Sequence, residues 1–205
     1  MNETISTNTK DFFITAFKEL QISENKLVLL ESIATAIVQT LKQNKTVNLN
    51  YISTNNSQRS QISQVWSTYA AHYFKLSNIN SFSGGTNVTS FHRKTVKTLQ
   101  KVGFTFKIIE FSHQNPTYAI GYHNYIKPIL VFSKLYNHDL NPSPFFAITN
   151  NAFEIIPEAI QQFEMPFNNI NNFEHSINKA EEYAALNKQI AGEIHFIFHR
   201  VSAAL

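Results

Sequence analysis

Between Glu24 and Lys42 the apolar positions Leu27, Leu30, Ile33, Ala34, Ile37 and Leu41 recur every three or four residues. That spacing predicts one helix with a single buried face. Ser23 stands where an N-cap is wanted. A shorter helix is predicted before it, over 11–20. At 46–52 the period drops to two, with Val47, Leu49 and Tyr51 alternating with Asn48 and Asn50, as in a strand. A polar stretch over 53–60 follows. Helical spacing then returns at Ile62, Val65, Trp66, Tyr69 and Tyr73.

Further along, Asn80 to Ser83 predicts a second strand that runs into Gly84-Gly85, and 93–103 predicts a helix stopped by Gly103. The runs 129–132 and 145–148 predict two buried strands. A long terminal helix is predicted over 177–201 from Tyr183, Ile190, Ile194, Ile197 and Val201. Strands alternating with helices imply an α/β fold whose parallel sheet is covered on both faces. With no internal repeat and no linker, one domain over 1–205 is expected.

Composition narrows the function classes. At 205 residues, with 43% hydrophobic and 15% charged residues, the chain can bury a sizeable core and is not of the disordered class. No apolar run reaches membrane-span length, and the N-terminus lacks the basic and apolar regions of a secretory signal. A cytoplasmic location is therefore expected, with no membrane partner. The net charge of +3 suits an anionic ligand, yet the lysines are dispersed and form no run, which argues against nucleic acid. There is no cysteine, which removes disulfides, thiolate metal sites and thiol nucleophiles together.

The candidate chemistry sits where the first strand meets its helix. A polar loop between a strand and a helix N-terminus can aim several backbone N–H groups at one anion. The same loop is also compatible with an ordinary structural turn. Gly84-Gly85 lacks the G-x-G-x-x-G spacing of a dinucleotide site, and no G-x-S-x-G elbow surrounds Ser53, so no cofactor and no serine-hydrolase triad are expected. His195 and His199 lie four apart on a helix, a spacing open to metal, but no third ligand is in view, and a partly exposed helix face is the simpler reading. Tyr51 and Tyr118 either border the pocket or pack the strands. Phe104, Phe106, Phe132, Phe145 and Phe146 are expected in the core.

Residues 47–74, VNLNYISTNNSQRSQISQVWSTYAAHYF, resemble the signature region of the low-molecular-weight protein tyrosine phosphatase and arsenate reductase family, in which a strand delivers C-x5-R-S to the first turn of a helix. On that resemblance Arg59 is the anion-binding arginine, Ser60 the serine after it, and Asn56 the asparagine that braces the loop. Ser53 stands where the family has its nucleophilic cysteine. Ser83, Gly84, Gly85 and Thr86 are similar to the family's S-A-G-T turn. The resemblance implies a three-layer α/β/α core over 46–205 with about four parallel strands, and a helical extension over 1–45. It also implies an anion cradle made by Ser53, Thr54, Asn55, Asn56, Ser57, Gln58, Arg59 and Ser60.

Two departures bear on activity. An alcohol ionises far above the range of a thiol, so Ser53 supplies no anion at neutral pH. The general acid is expected on Met165-Pro166-Phe167-Asn168-Asn169, and Asn169 matches its position; an amide cannot donate that proton. The combination implies a protein that binds phosphate, a phosphorylated partner or a similar oxyanion without hydrolysing it. Two other readings remain open: an active family member seen as a cysteine-to-serine variant, and a non-catalytic scaffold assembling as a homo-oligomer.

Overall fold

The computed structural model of the chain describes residues 7–122, 127–150, 153–166 and 179–205. Its elements run α1 Thr7–Lys18, α2 Glu24–Lys42, β1 Val47–Ser53, α3 Arg59–Tyr73, β2 Ile79–Gly85 and α4 Arg93–Lys101. They continue with β3 Thr105–Glu110, β4 Thr117–Gly121, β5 Ile129–Val131, β6 Phe145–Thr149, β7 Ala159–Glu164 and α5 Lys179–Ala204. Helix α2 occupies the span its periodicity predicts, and the Ser23 hydroxyl accepts from the Lys26 N–H at 3.4 Å as its N-cap. Helix α1 begins four residues earlier and ends two residues earlier than the predicted 11–20.

Four strands pair in the order β2-β1-β6-β7, all parallel. This is the expected architecture, an α/β fold with a central four-stranded parallel sheet flanked by helices. Alternation decides the faces. Val47, Leu49 and Tyr51 enter the main core with Val65, Trp66 and Ile194, whereas Ile52 packs with Phe145, Ala147 and Ile156 in a second cluster. Strand β6 is buried at every position, as a central parallel strand with both faces covered should be. Helix α3 packs on β1 and β2, and α5 packs on α1, α2, α3 and α4. The N-terminal helix is anchored by Phe13, which stacks on Trp66 with ring centroids 5.4 Å apart. The Trp66 indole N–H in turn donates to Asn187 Oδ1 at 2.8 Å, satisfying the polar edge of a buried ring.

A second sheet, β3-β4-β5, is antiparallel, and it corrects one expectation. The run 129–132 is not a buried strand of the parallel sheet. Ile129 and Val131 point inward, but Leu130 between them is 44% exposed, because this sheet has one wet face. Strand β3 escaped prediction since it is exposed along nearly its whole length and carries an irregularity between Ile108 and Glu110, which erases the period of two. The edge strand β7 escaped for a similar reason, with Ile160 and Gln161 exposed.

Phe104, Phe145 and Phe146 are buried as expected, whereas Phe106 is half-buried against the core and Phe132 is half-buried with the Lys134 ammonium 5.1 Å from its ring centroid. Tyr51 is wholly buried. His195 is not on an exposed face. It is 6% exposed, stacks on Phe17 at 4.2 Å and meets Phe13 and Phe74, while His199 is exposed. Burial among these rings pushes the His195 pKa down to about 4, helped by the neighbouring His199. Neutral imidazole in an aromatic box is the result. Among the described residues no helix is long and apolar enough to cross a membrane.

Candidate anion-binding loop

Strand β1 ends at Ser53, in register with Gly85 of β2, and α3 starts at Arg59. Between them the backbone carbonyls are turned outward one after another. Thr54 O accepts from Asn87 N at 2.8 Å and from Thr86 Oγ1 at 3.3 Å. Asn55 O accepts from Thr89 Oγ1 at 2.9 Å and Ser133 Oγ at 3.0 Å. Asn56 O accepts from Gln61 Nε2 at 2.7 Å, and Ser57 O accepts from His92 N at 3.1 Å and Thr95 Oγ1 at 3.4 Å. In a planar trans peptide the N–H of the next residue points opposite to the carbonyl. Four tethered carbonyls therefore turn the N–H groups of Asn55, Asn56, Ser57 and Gln58 away from those donors. That of Asn56 donates to Ser53 Oγ at 3.2 Å. The helix start adds the first-turn N–H groups of Arg59 and Ser60, which have no acceptor within the helix, and such a donor set suits an anion.

Asn56 holds this shape through both its backbone and its amide. Its φ is +43°, a left-handed conformation that asparagine adopts more readily than most residues. Its Oδ1 accepts from Lys134 N at 3.0 Å, which fixes the amide's orientation, so Nδ2 donates to Ser60 Oγ at 3.0 Å. The Ser60 and Ser53 hydroxyls share a hydrogen bond, their oxygens 2.8 Å apart. Ser53 is 6% exposed and is held between the Asn56 N–H and the Ser60 hydroxyl. An environment of this kind stabilises negative charge on the atom at its centre, although a serine hydroxyl has none to offer at neutral pH.

Close packing beneath the loop depends on the two glycines. A Cβ on Gly84 would lie 2.2 Å from Tyr136 Cα and 2.6 Å from Tyr136 N, and one on Gly85 would lie 2.8 Å from both Thr54 O and Asn87 O. These residues close the end of β2 rather than forming a separate turn. Ser83 is buried, with its hydroxyl donating to Gln64 Oε1 at 2.6 Å, and Thr86 joins the loop through Thr54 O. Gly85 and Thr86 thus touch the loop at Thr54, whereas Gly84 backs onto Tyr136 and Ser83 bonds Gln64 and Asn141. Tyr118 is elsewhere, packing on Phe91 and Phe106.

The electrostatics favour an anion. No carboxylate occurs between Glu31 and Glu110, a stretch carrying nine lysines and arginines. Arg59 is half-buried and, among the described residues, takes part in none of the three ion pairs; burial lowers its pKa without discharging a guanidinium. Lys134 was not foreseen from the sequence. It is 4% exposed, joined to the loop through its own N–H, and burial pushes its pKa down to about 8. The expected general-acid position, Asn169, and its neighbour Asn168 lie outside the described residues.

No protein-family model matches the chain, and no curated protein matches it. Among solved structures it is similar to a thioredoxin-dependent arsenate reductase of Corynebacterium glutamicum. That likeness has 15% identity and a TM-score of 0.47, and it covers 97% of this chain and 86% of the other. It assigns no role to any residue here.

Proposed function

We propose that this protein is a catalytically degenerate member of the low-molecular-weight phosphatase-like family, binding phosphate, a phosphorylated partner or a similar oxyanion at residues 53–60 without turning it over. The observation that carries the reading is the loop itself, in which four successive carbonyls are tethered outward at the start of α3. The cradle needs backbone amides and Arg59. Catalysis by the family's route would also need a thiolate to attack phosphorus and an acid to protonate the leaving oxygen. The chain has no cysteine at all, and Asn169 stands at the acid's matched position. A single engineered cysteine-to-serine change would account for neither Asn169 nor the absence of every other cysteine.

Binding and turnover separate in one set of measurements. Inorganic phosphate titrated calorimetrically into the wild-type protein is expected to bind, and Arg59→Ala should weaken it about tenfold or more, since charge-assisted hydrogen bonds contribute about 1.5–3 kcal/mol each. Hydrolysis of p-nitrophenyl phosphate by the purified wild type should equal the no-enzyme control near neutral pH. Sustained hydrolysis abolished in Ser53→Ala would overturn the degenerate reading, and equal affinities for wild type and Arg59→Ala would remove Arg59 from the site.

A further inference from the structure

Helix α4 and the β3–β4 hairpin enclose a cleft of about 650 Å³, a volume in the range of ligand sites. One wall is basic. Arg93 and Lys97 lie four apart and exposed on α4, with Lys94 beside them, and His113 of the hairpin turn faces them across the cleft. The other wall is apolar, with Phe111 70% exposed and Ile108 50% exposed. Among the described residues that line it, none is a carboxylate.

Both walls are joined to the anion loop. On the α4 side His92 caps the helix, lines the cleft and donates its N–H to Ser57 O. On the hairpin side Asn115, in the β3–β4 turn, donates to Ser133 O at 2.8 Å and accepts from Ser133 N at 2.9 Å. Ser133 Oγ in turn donates to Asn55 O. The cleft thus straddles segments bonded to loop residues on either side of Asn56.

We propose that this cleft receives the acidic flank of a phosphorylated peptide whose phosphate occupies the loop; the inference rests on the loop being an anion site and names the ligand class for it. Charge complementarity selects the occupant. Three adjacent cations and no carboxylate favour Asp and Glu side chains, and the exposed Phe111 and Ile108 offer contact to the peptide's apolar atoms. A second copy of this chain, itself net positive, is electrostatically disfavoured there. A single nucleic-acid strand would also satisfy the cations and stack a base on Phe111, so it is the rival occupant that the test includes.

The test is fluorescence anisotropy at low salt with three labelled probes: a phosphotyrosine peptide flanked by Asp and Glu, its alanine-flanked counterpart, and a short 5′-phosphorylated oligonucleotide. The acidic peptide is expected to bind the wild type about tenfold more tightly than the neutral one, the sum of several exposed charge pairs. The double variant Arg93→Gln, Lys97→Gln should abolish that preference while still binding inorganic phosphate, which also certifies that it is folded. Equal affinity for the two peptides, with phosphate still bound, would overturn the cleft assignment and leave the loop reading standing. Loss of all phosphate and phosphopeptide binding by the wild type would overturn both. Tighter binding of the oligonucleotide than of the acidic peptide would overturn the assignment in favour of nucleic acid.

Discussion

Gly84→Ala is expected to destabilise the protein by about 3 kcal/mol and to abolish phosphate binding. The added methyl would stand 2.2 Å from Tyr136 Cα and 2.6 Å from its N, and the obstruction is backbone, which cannot swing aside as a side chain does. Tyr136 is held where it is: its N–H donates to Gly85 O at 2.9 Å, and its carbonyl accepts from Asn50 Nδ2 at 2.9 Å and Asn141 Nδ2 at 3.1 Å. Relief must therefore come from moving the chain over 133–136 away from β2, which pulls Ser133 and Lys134 off Asn55 and Asn56. Overpacking of this kind costs about 1–3 kcal/mol, and the buried hydrogen bonds lost with it add to that. Thermal unfolding with and without phosphate measures both parts. Wild-type stability with unchanged phosphate affinity would show that the 133–136 segment does not brace the loop.

Ser53→Cys is expected to create a thiol with a pKa well below the ordinary value of about 8.5. The N–H of Asn56 and the hydroxyl of Ser60 both converge on this position, and the helix start adds its partial positive charge. At a pKa near 6 the thiolate fraction at pH 7 would rise about thirtyfold over that of a free cysteine. The pH dependence of alkylation by iodoacetamide reads this directly. Because the chain has no other cysteine, every label reports position 53. Phosphoryl transfer from aryl phosphates with acidic phenols should then appear. Substrates with poorer leaving groups should stay slow until Asn169→Asp is added, a term of about a hundredfold to ten-thousandfold. An alkylation midpoint at or above 8.5 would mean that the donors do not serve the site.

Local signals carried the first half of this fold. Helix α2 shows its apolar stripe and its serine cap in consecutive residues, and β1 to α3 shows a change of period from two to helical spacing across one polar stretch. The loop was legible for the same reason, since Ser53, Asn56, Arg59 and Ser60 are close in sequence. What braces it was not. Ser133 and Lys134 reach Asn55 and Asn56 across 78 residues, and nothing local marks a serine and a lysine as partners of a distant turn. The antiparallel sheet stayed hidden because β3 is solvated on most positions and so has no apolar rhythm to read. The basic cleft stayed hidden because Arg93, Lys94 and Lys97 look like a solvated helix face until the β3–β4 turn is folded over them.

Anion binding at residues 53–60 depends on the backbone amides of the loop converging on the ligand. Amide chemical-shift mapping during titration with inorganic phosphate tests it most directly. Saturable shifts are expected, concentrated on the N–H groups of Asn55, Asn56, Ser57, Gln58, Arg59 and Ser60, and strongly weakened in Arg59→Ala. Saturable shifts centred on other residues, or none up to phosphate concentrations at which a weak site would fill, would contradict it.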